Sequence, residues 1–219
     1  AEEIGEGAKR MLSAGALEPK PDAFLMFHYA VDMPFGMAVH EGQASAMING
    51  MEIRVHGKSS HWCQASQGID SIYAASLVVQ ALHDLNETYQ GKGPCLVGIG
   101  TFHGGEYSNI ITDLVTLRGN IRAAYEEDYQ ALDEKMQAVL QEIEKRTGTR
   151  IEIEYPKPAV LPFANDASLT RIAAAAGKKV FGEHFILEDE NQLFLSGDNA
   201  YRYFQKSRGL FSVFLAGIP

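Results

Sequence analysis

Cysteine is scarce. Cys63 and Cys95 are the two cysteines in 219 residues, and they show no metal-type pairing in sequence. A disulfide framework is therefore not expected, and a reduced, cytoplasmic setting is the simplest reading. Basic residues are also short, with 19 Lys and Arg against 28 Asp and Glu and a formal net charge of -9. A nucleic-acid partner needs a basic face, so that class is excluded. Long apolar runs are missing as well, and a membrane partner through a spanning helix is excluded with them. There is no internal repeat, low-complexity tract or leader-like pattern. What is present is a 46% hydrophobic composition, enough for a packed core. The length allows one large domain or two small ones.

The texture of the chain changes twice. Residues 2–12 read as a helix, with Glu2, Glu3 and Glu6 in the first turn, where the dipole favours negative charge, and Gly15 as a terminator. The run AFLMFHYA, residues 23–30, reads as a strand buried on both faces, before Pro34 and Gly36 break the pattern. From Ala46 the pattern becomes alternating. Met51, Ile53 and Val55 interleave with Glu52, Arg54 and His56, the signature of a half-buried strand. A helix over 69–85, strands over 96–102 and 114–123, an amphipathic helix over 126–146 and a strand over 150–155 follow. This strand-helix-strand-strand-helix-strand order is the split βαβ pattern of a small α+β sandwich. After Pro156 and Pro158 the first texture returns. Asp166 could cap a helix through Lys179, a short helix covers 199–206, and 210–215 reads as another buried strand. The expected organisation is an α/β domain, residues 1–48 and 160–219, interrupted by an inserted α+β domain, residues 49–159.

Several residues could carry chemistry, and each has a plain alternative. Glu2 and Glu3 are adjacent carboxylates whose directions diverge by about 100° on a helix, so one can bind a metal while the other faces a water. Locally, a solvated first turn explains them as well. His28 closes an apolar strand, and ligand sites collect at the carboxyl ends of strands in open α/β sheets. Its imidazole could bind zinc or be a satisfied core group. His61 sits in the loop GKSSHWCQASQGID, where Ser66 or Gln67 could start the next helix. FHGGEYSNIITD reads as a hairpin connection whose Gly104, Gly105 and Asn109 tolerate unusual backbone angles. Arg122 ends the strand after it, either as a surface ion-pair partner or as a bidentate clamp on a carboxylate. In SGDNA, residues 196–200, Asp198 or Asn199 is a natural helix cap.

Taken in order, AEEIGEGAKRM, DAFLMFHYAVDMPFG, GKSSH with GID, and GTFHGGEYSNIITD with LRGNIR resemble metallopeptidase family twenty. These are dinuclear zinc amidohydrolases and aminoacylases, and the nearest branch is the hippurate hydrolase and indole-3-acetyl-amino-acid hydrolase group. The resemblance implies that Glu2 is the general base and that Glu3 and His28 are metal ligands. It implies that His61, from the lid, stabilises the oxyanion in the partner subunit's site, and that Asn109 and Arg122 hold the substrate carboxylate. It implies an α/β catalytic domain, incomplete here, with an inserted ferredoxin-like lid and dimerisation domain. The implied cofactor is a pair of divalent ions, zinc or manganese, and the implied partners are an N-acyl-amino-acid or small-peptide substrate and a second copy of the chain.

Against that family the chain reads as an internal section, starting inside the Glu-Glu motif and stopping short of a final His ligand. Alone it is expected to be inactive. Two segments depart from the family's pattern. WCQAS, residues 62–66, replaces small residues, Pro and His after the lid histidine, and SGDNA replaces Gly-x-Glu-Asp-Phe. The rival expectation is a non-catalytic dimerisation or ligand-binding relative that keeps the lid.

Overall fold

The computed structural model describes residues 6–31, 33–188 and 195–217. The chain divides into two compact units, Ala1–Met47 with Val160–Pro219, and Ile48–Ala159.

The second unit holds β3 (Met47–His56), α2 (Ser71–Thr88), β5 (Cys95–Gly104), β7 (Leu114–Ala123), α3 (Glu126–Thr147) and β8 (Arg150–Glu154), with the short strands β4 (Ser60–His61) and β6 (Ile110–Ile111). The four long strands form one sheet in the order β5-β7-β3-β8. β5 pairs with β7, and β3 with β8, antiparallel. The alternation in β3 decides which face is covered: Met51, Ile53 and Val55 are buried. They meet Val97, Val115, Leu117 and Ile121 from the other strands and a single layer of apolar side chains from α2 and α3. Each such burial is worth roughly 1.5–3 kcal/mol. The opposite face is polar. Arg118 donates to Glu52 at 2.8 Å, Arg54 meets Glu154 at 2.9 Å, and His56 meets Glu152 at 2.9 Å. Asp70, rather than Ser66 or Gln67, caps α2 by accepting from the Ile72 and Tyr73 amides. The segment before it is a tight 3-10 turn over Trp62–Gln67. Gly119 is required by close approach, since a Cβ there would lie 1.9 Å from the Gly98 carbonyl oxygen.

The first unit contains α1 (Glu6–Ser13), β1 (Phe24–Ala30), β2 (Gly36–His40), α4 (Ala167–Phe181), β9 (Phe185–Glu188), α5 (Tyr201–Phe204) and β10 (Gly209–Leu215). Its sheet is mixed, in the order β1-β10-β2-β9. β1 runs parallel to β10, β2 antiparallel to β10, and β9 parallel to β2. Asp166 caps α4 as expected, accepting from the Ser168 and Leu169 amides. Leu169, Ala173 and Phe181 of α4 pack on Met37, Val39, Phe185 and Leu210. Gly177 allows that approach: a Cβ would meet the Phe185 ring at 2.2 Å. On the other face Phe163, Tyr201 and Phe211 form a separate cluster with Ala44 and Ala200.

Two expectations are corrected. β1 is not buried on both faces. It is an edge strand whose Leu25, Phe27 and Tyr29 are exposed. Its apolar sequence matches a covered strand, and Phe24 and Met26 do pack on the aromatic cluster, but Leu25, Phe27 and Tyr29 stay open among the described residues. The chain after Pro34 is also not merely a break, because Gly36–His40 forms the fully buried strand β2.

Candidate active site

Each unit contributes one group of candidate residues. Glu2 and Glu3 lie outside the described residues. His28 falls within β1, opposite Val213 of β10, with its ring 6.1 Å from that of Phe211. It lines a cavity of about 380 Å³ on the Phe211 side of the sheet. The wall is mostly apolar and is built from alternate residues of β10 and β2, namely Phe211, Val213, Leu215 and Ala38, with Ala44 beyond them. The strand period places these side chains on one face.

The same wall holds a pair that the sequence did not reveal. His40 Nε2 lies 2.7 Å from Glu188 Oε2, and both residues are largely buried. They are aligned partners across β2 and β9. The other ring nitrogen of His40, Nδ1, is buried with no partner among the described residues. A proton there would be an unpaired buried donor, so the ring carries its hydrogen on Nε2 and donates it to the carboxylate. No local spacing links two residues so far apart in the chain; the only trace is a polar residue ending each of two short apolar runs, GMAVH and FILE.

In the second unit the structure brings His61 and Asn109 together. The pairing of β4 with β6 sets His61 opposite Ile110. The Trp62 amide donates to the Asn109 carbonyl at 3.1 Å. The His61 Nε2 and the Asn109 side-chain amide are 3.2 Å apart, and His61 Nδ1 accepts the Cys63 amide at 3.2 Å. A neutral imidazole has one acceptor nitrogen. The backbone N–H occupies Nδ1, so Nε2 is the donor nitrogen of the ring, with the Asn109 side-chain amide beside it. The result is an exposed N–H donor held in one tautomer by the backbone. Arg122 is not part of this group. It lies towards the far end of β7, roughly 26 Å along the strand from Leu114 at about 3.3 Å per residue. There its Nε donates to Asn120 at 2.8 Å. Within one chain, β7 thus separates Arg122 from the His61–Asn109 pair.

In the SGDNA segment Asp198 accepts the Ala200 amide at 2.7 Å, but the N-cap of α5 is Ala200 itself, without a side-chain cap, so the expected capping by Asp198 or Asn199 is corrected. Among the described residues no group of three or more His, Cys, Asp or Glu side chains could hold a metal ion. No helix among them is long and apolar enough to cross a membrane.

Comparison with known proteins gives a consistent picture. Residues 44–148 match the model of the peptidase dimerisation domain. The hippurate hydrolase of Campylobacter jejuni is 30% identical over 188 residues, covering 84% of this chain and 48% of that protein. An IAA-amino acid hydrolase of Arabidopsis thaliana is 29% identical over 213 residues, covering 94% of this chain and 47% of that protein. The chain thus spans about half the length of the curated relatives it matches. A dinuclear metal-binding peptidase of Bacillus subtilis superposes with a TM-score of 0.73 at 26% identity, covering 99% of this chain and 54% of that one. On these matches the chain is a relative of the metallopeptidases of family twenty, with their peptidase dimerisation domain at residues 44–148.

Proposed function

We propose that this chain carries part of a metal-dependent amidohydrolase that cleaves the amide bond of N-acyl-amino acids or small peptides. The observation that carries the reading is the His61–Asn109 pair, an exposed Nε2–H fixed in its tautomer within the unit that matches the dimerisation domain. Relatives named for hippurate and IAA-amino acids support the substrate class.

In this reading His28 and Glu3 hold a divalent ion, zinc in preference to manganese. His28 fits, since it is an exposed imidazole on the rim of a cavity. At that position a divalent ion would supply Lewis-acid polarisation of the scissile carbonyl and a more acidic water. Glu2 takes the water's proton and returns it to the leaving amine. His61 donates its Nε2–H to the developing oxyanion in the site of a second copy. Arg122 and Asn109 hold the substrate carboxylate, and their separation along one chain suits a site completed across a dimer. The setting is cytoplasmic.

The 219-residue chain by itself should turn nothing over, because two donors hold a metal weakly. The full-length protein, metal-loaded, should hydrolyse N-benzoylglycine. A chelator should abolish turnover, and Glu2→Gln should lower it by about 10²–10⁴-fold. A second reading, a dimerising relative without activity, is favoured by Asp198 in SGDNA, whose carboxylate accepts the Ala200 amide. A metal-loaded dimer that hydrolyses no acyl-amino acid would establish it instead.

A further inference from the structure

We infer that Asn120 is a positioning residue for Arg122, holding its guanidinium in the orientation from which it meets the carboxylate of the substrate. The inference rests on the amidohydrolase reading, in which Arg122 holds that carboxylate, and adds to it the residue that aims the arginine. Strand geometry is the first argument. Ile121 and Ala123 of β7 are buried, with Ile121 in the core under α2 and α3. Asn120 and Arg122 alternate with them, so both stand on the opposite face of the sheet. Arg122 Nε donates to Asn120 Oδ1 at 2.8 Å. A guanidinium has donors and no acceptor, so the amide of Asn120 has to present its oxygen to it. The bond fixes the plane of the guanidinium. Arginine is long and rich in rotamers, and its fork gains from being held before the ligand arrives.

The second argument is what the bond leaves for an anion. With Nε engaged, the side-on fork of Nε and Nη is closed, and a bidentate carboxylate meets the end-on pair of Nη groups. Asn120 turns its acceptor oxygen to the guanidinium and keeps the N–H donors of Nδ2 beside it. The third argument is the neighbouring strand. Asn120 lies opposite Gly98 and Arg122 opposite Leu96, so no carboxylate of β5 faces the pair. A Cβ at Gly98 would meet nothing within 4 Å. Packing therefore does not require this glycine, although glycine weakens a strand interior. It keeps the floor beside Asn120 low, as the close approach of a ligand needs.

The test uses the full-length, metal-loaded protein with Asn120→Ala and the isosteric Asn120→Asp. The substrates are N-benzoylglycine and N-methylbenzamide, which has the same acyl group and no carboxylate. In Asn120→Ala the ratio of kcat/KM for the first over the second should fall at least fivefold, mainly through KM. It should fall further in Asn120→Asp, whose carboxylate pairs with Arg122 and repels that of the substrate. In an Arg122→Ala background, Asn120→Ala should change the ratio by less than twofold, because its effect passes through the arginine. Calorimetric titration of the metal-free protein with N-benzoylglycine gives a readout without turnover, and Asn120→Ala should weaken that binding at least fivefold. A thermal melt identifies a variant that fails to fold, and the other then decides. A ratio within twofold of wild type, or a full effect of Asn120→Ala without Arg122, would overturn the assignment. If no amide is hydrolysed at all, the amidohydrolase reading fails and the titration alone decides on Asn120. Binding that is absent, or indifferent to Asn120→Ala, then overturns the positioning role.

Discussion

The two units differ in how their sheets meet water. In Ile48–Ala159 one sheet face is sealed by two helices and the other is charged. In the discontinuous unit the apolar residues of β1 stay open, with Leu25 at 58%, Phe27 at 51% and Tyr29 at 72% exposure. Apolar content is therefore not what distinguishes them. The difference is whether the chain supplies a layer for each apolar face. The first arrangement is that of a body stable by itself. The second is that of a sheet with an unblunted apolar edge, which invites another chain.

That contrast predicts where substitutions hurt. The largest effect should come from the sealed core. Ile121 has no exposure and lies under both helices. Ile121→Ala should cost about 3–4 kcal/mol, the upper part of the range for a buried aliphatic side chain cut to alanine. Urea denaturation followed by circular dichroism would measure it. A cost under about 1 kcal/mol would mean that the core is looser than its burial indicates.

Much of the sealed unit was legible in the sequence because its strands are half-buried. Met51, Ile53 and Val55 alternate with polar partners, and the expected strand over 114–123 coincides with β7. The first unit was harder to read. AFLMFHYA has the composition of a covered strand wherever it sits, and composition alone does not report whether a covering layer exists. β2 was missed because Gly36 looked like punctuation; in fact a Cβ there would lie 2.2 Å from the His184 carbonyl oxygen, so the glycine serves close packing. In the candidate site, His28 and His61 could be picked out by type and position. The His40–Glu188 pair and the tautomer of His61 depend on strand register and on a backbone amide, and neither leaves a local pattern.

The second prediction sharpens the contrast through pH. Three tyrosines of the sealed unit are displaced upward from the ordinary value of 10.0. Burial is the main cause at Tyr89, Tyr129 and Tyr155. A hydrogen bond to Asp128 adds to it at Tyr89, and one to Asp133 adds to it at Tyr155. A raised value means that the folded state holds the phenol proton more tightly than the unfolded state does. The stabilisation is complete below about pH 10 and is lost as pH rises through the folded values. The sealed unit should therefore lose stability above about pH 10. Tyr155→Phe, which also leaves Asp133 without this donor, should flatten that alkaline loss. Equal alkaline slopes in wild type and variant would show that Tyr155 does not contribute.

The smallest effect should come at the open edge. Phe27 lies on β1, half exposed, with its ring 5.2 Å from that of Phe214. Removing it gives up one partial aromatic contact and opens no cavity, because solvent already reaches the site. Phe27→Ser should thus change stability by no more than about 0.5 kcal/mol, the usual range for surface positions. The same substitution interrupts the apolar patch that Phe27 forms with Leu25, Ile172 and Val180 around the α4 face. Self-association of the 219-residue chain should therefore fall, read as a shift towards monomer in sedimentation velocity at equal protein concentration. A loss of stability close to that of Ile121→Ala would break the comparison. It would mean that in solution the β1 face is covered by another copy and is as sealed as the core of the other unit.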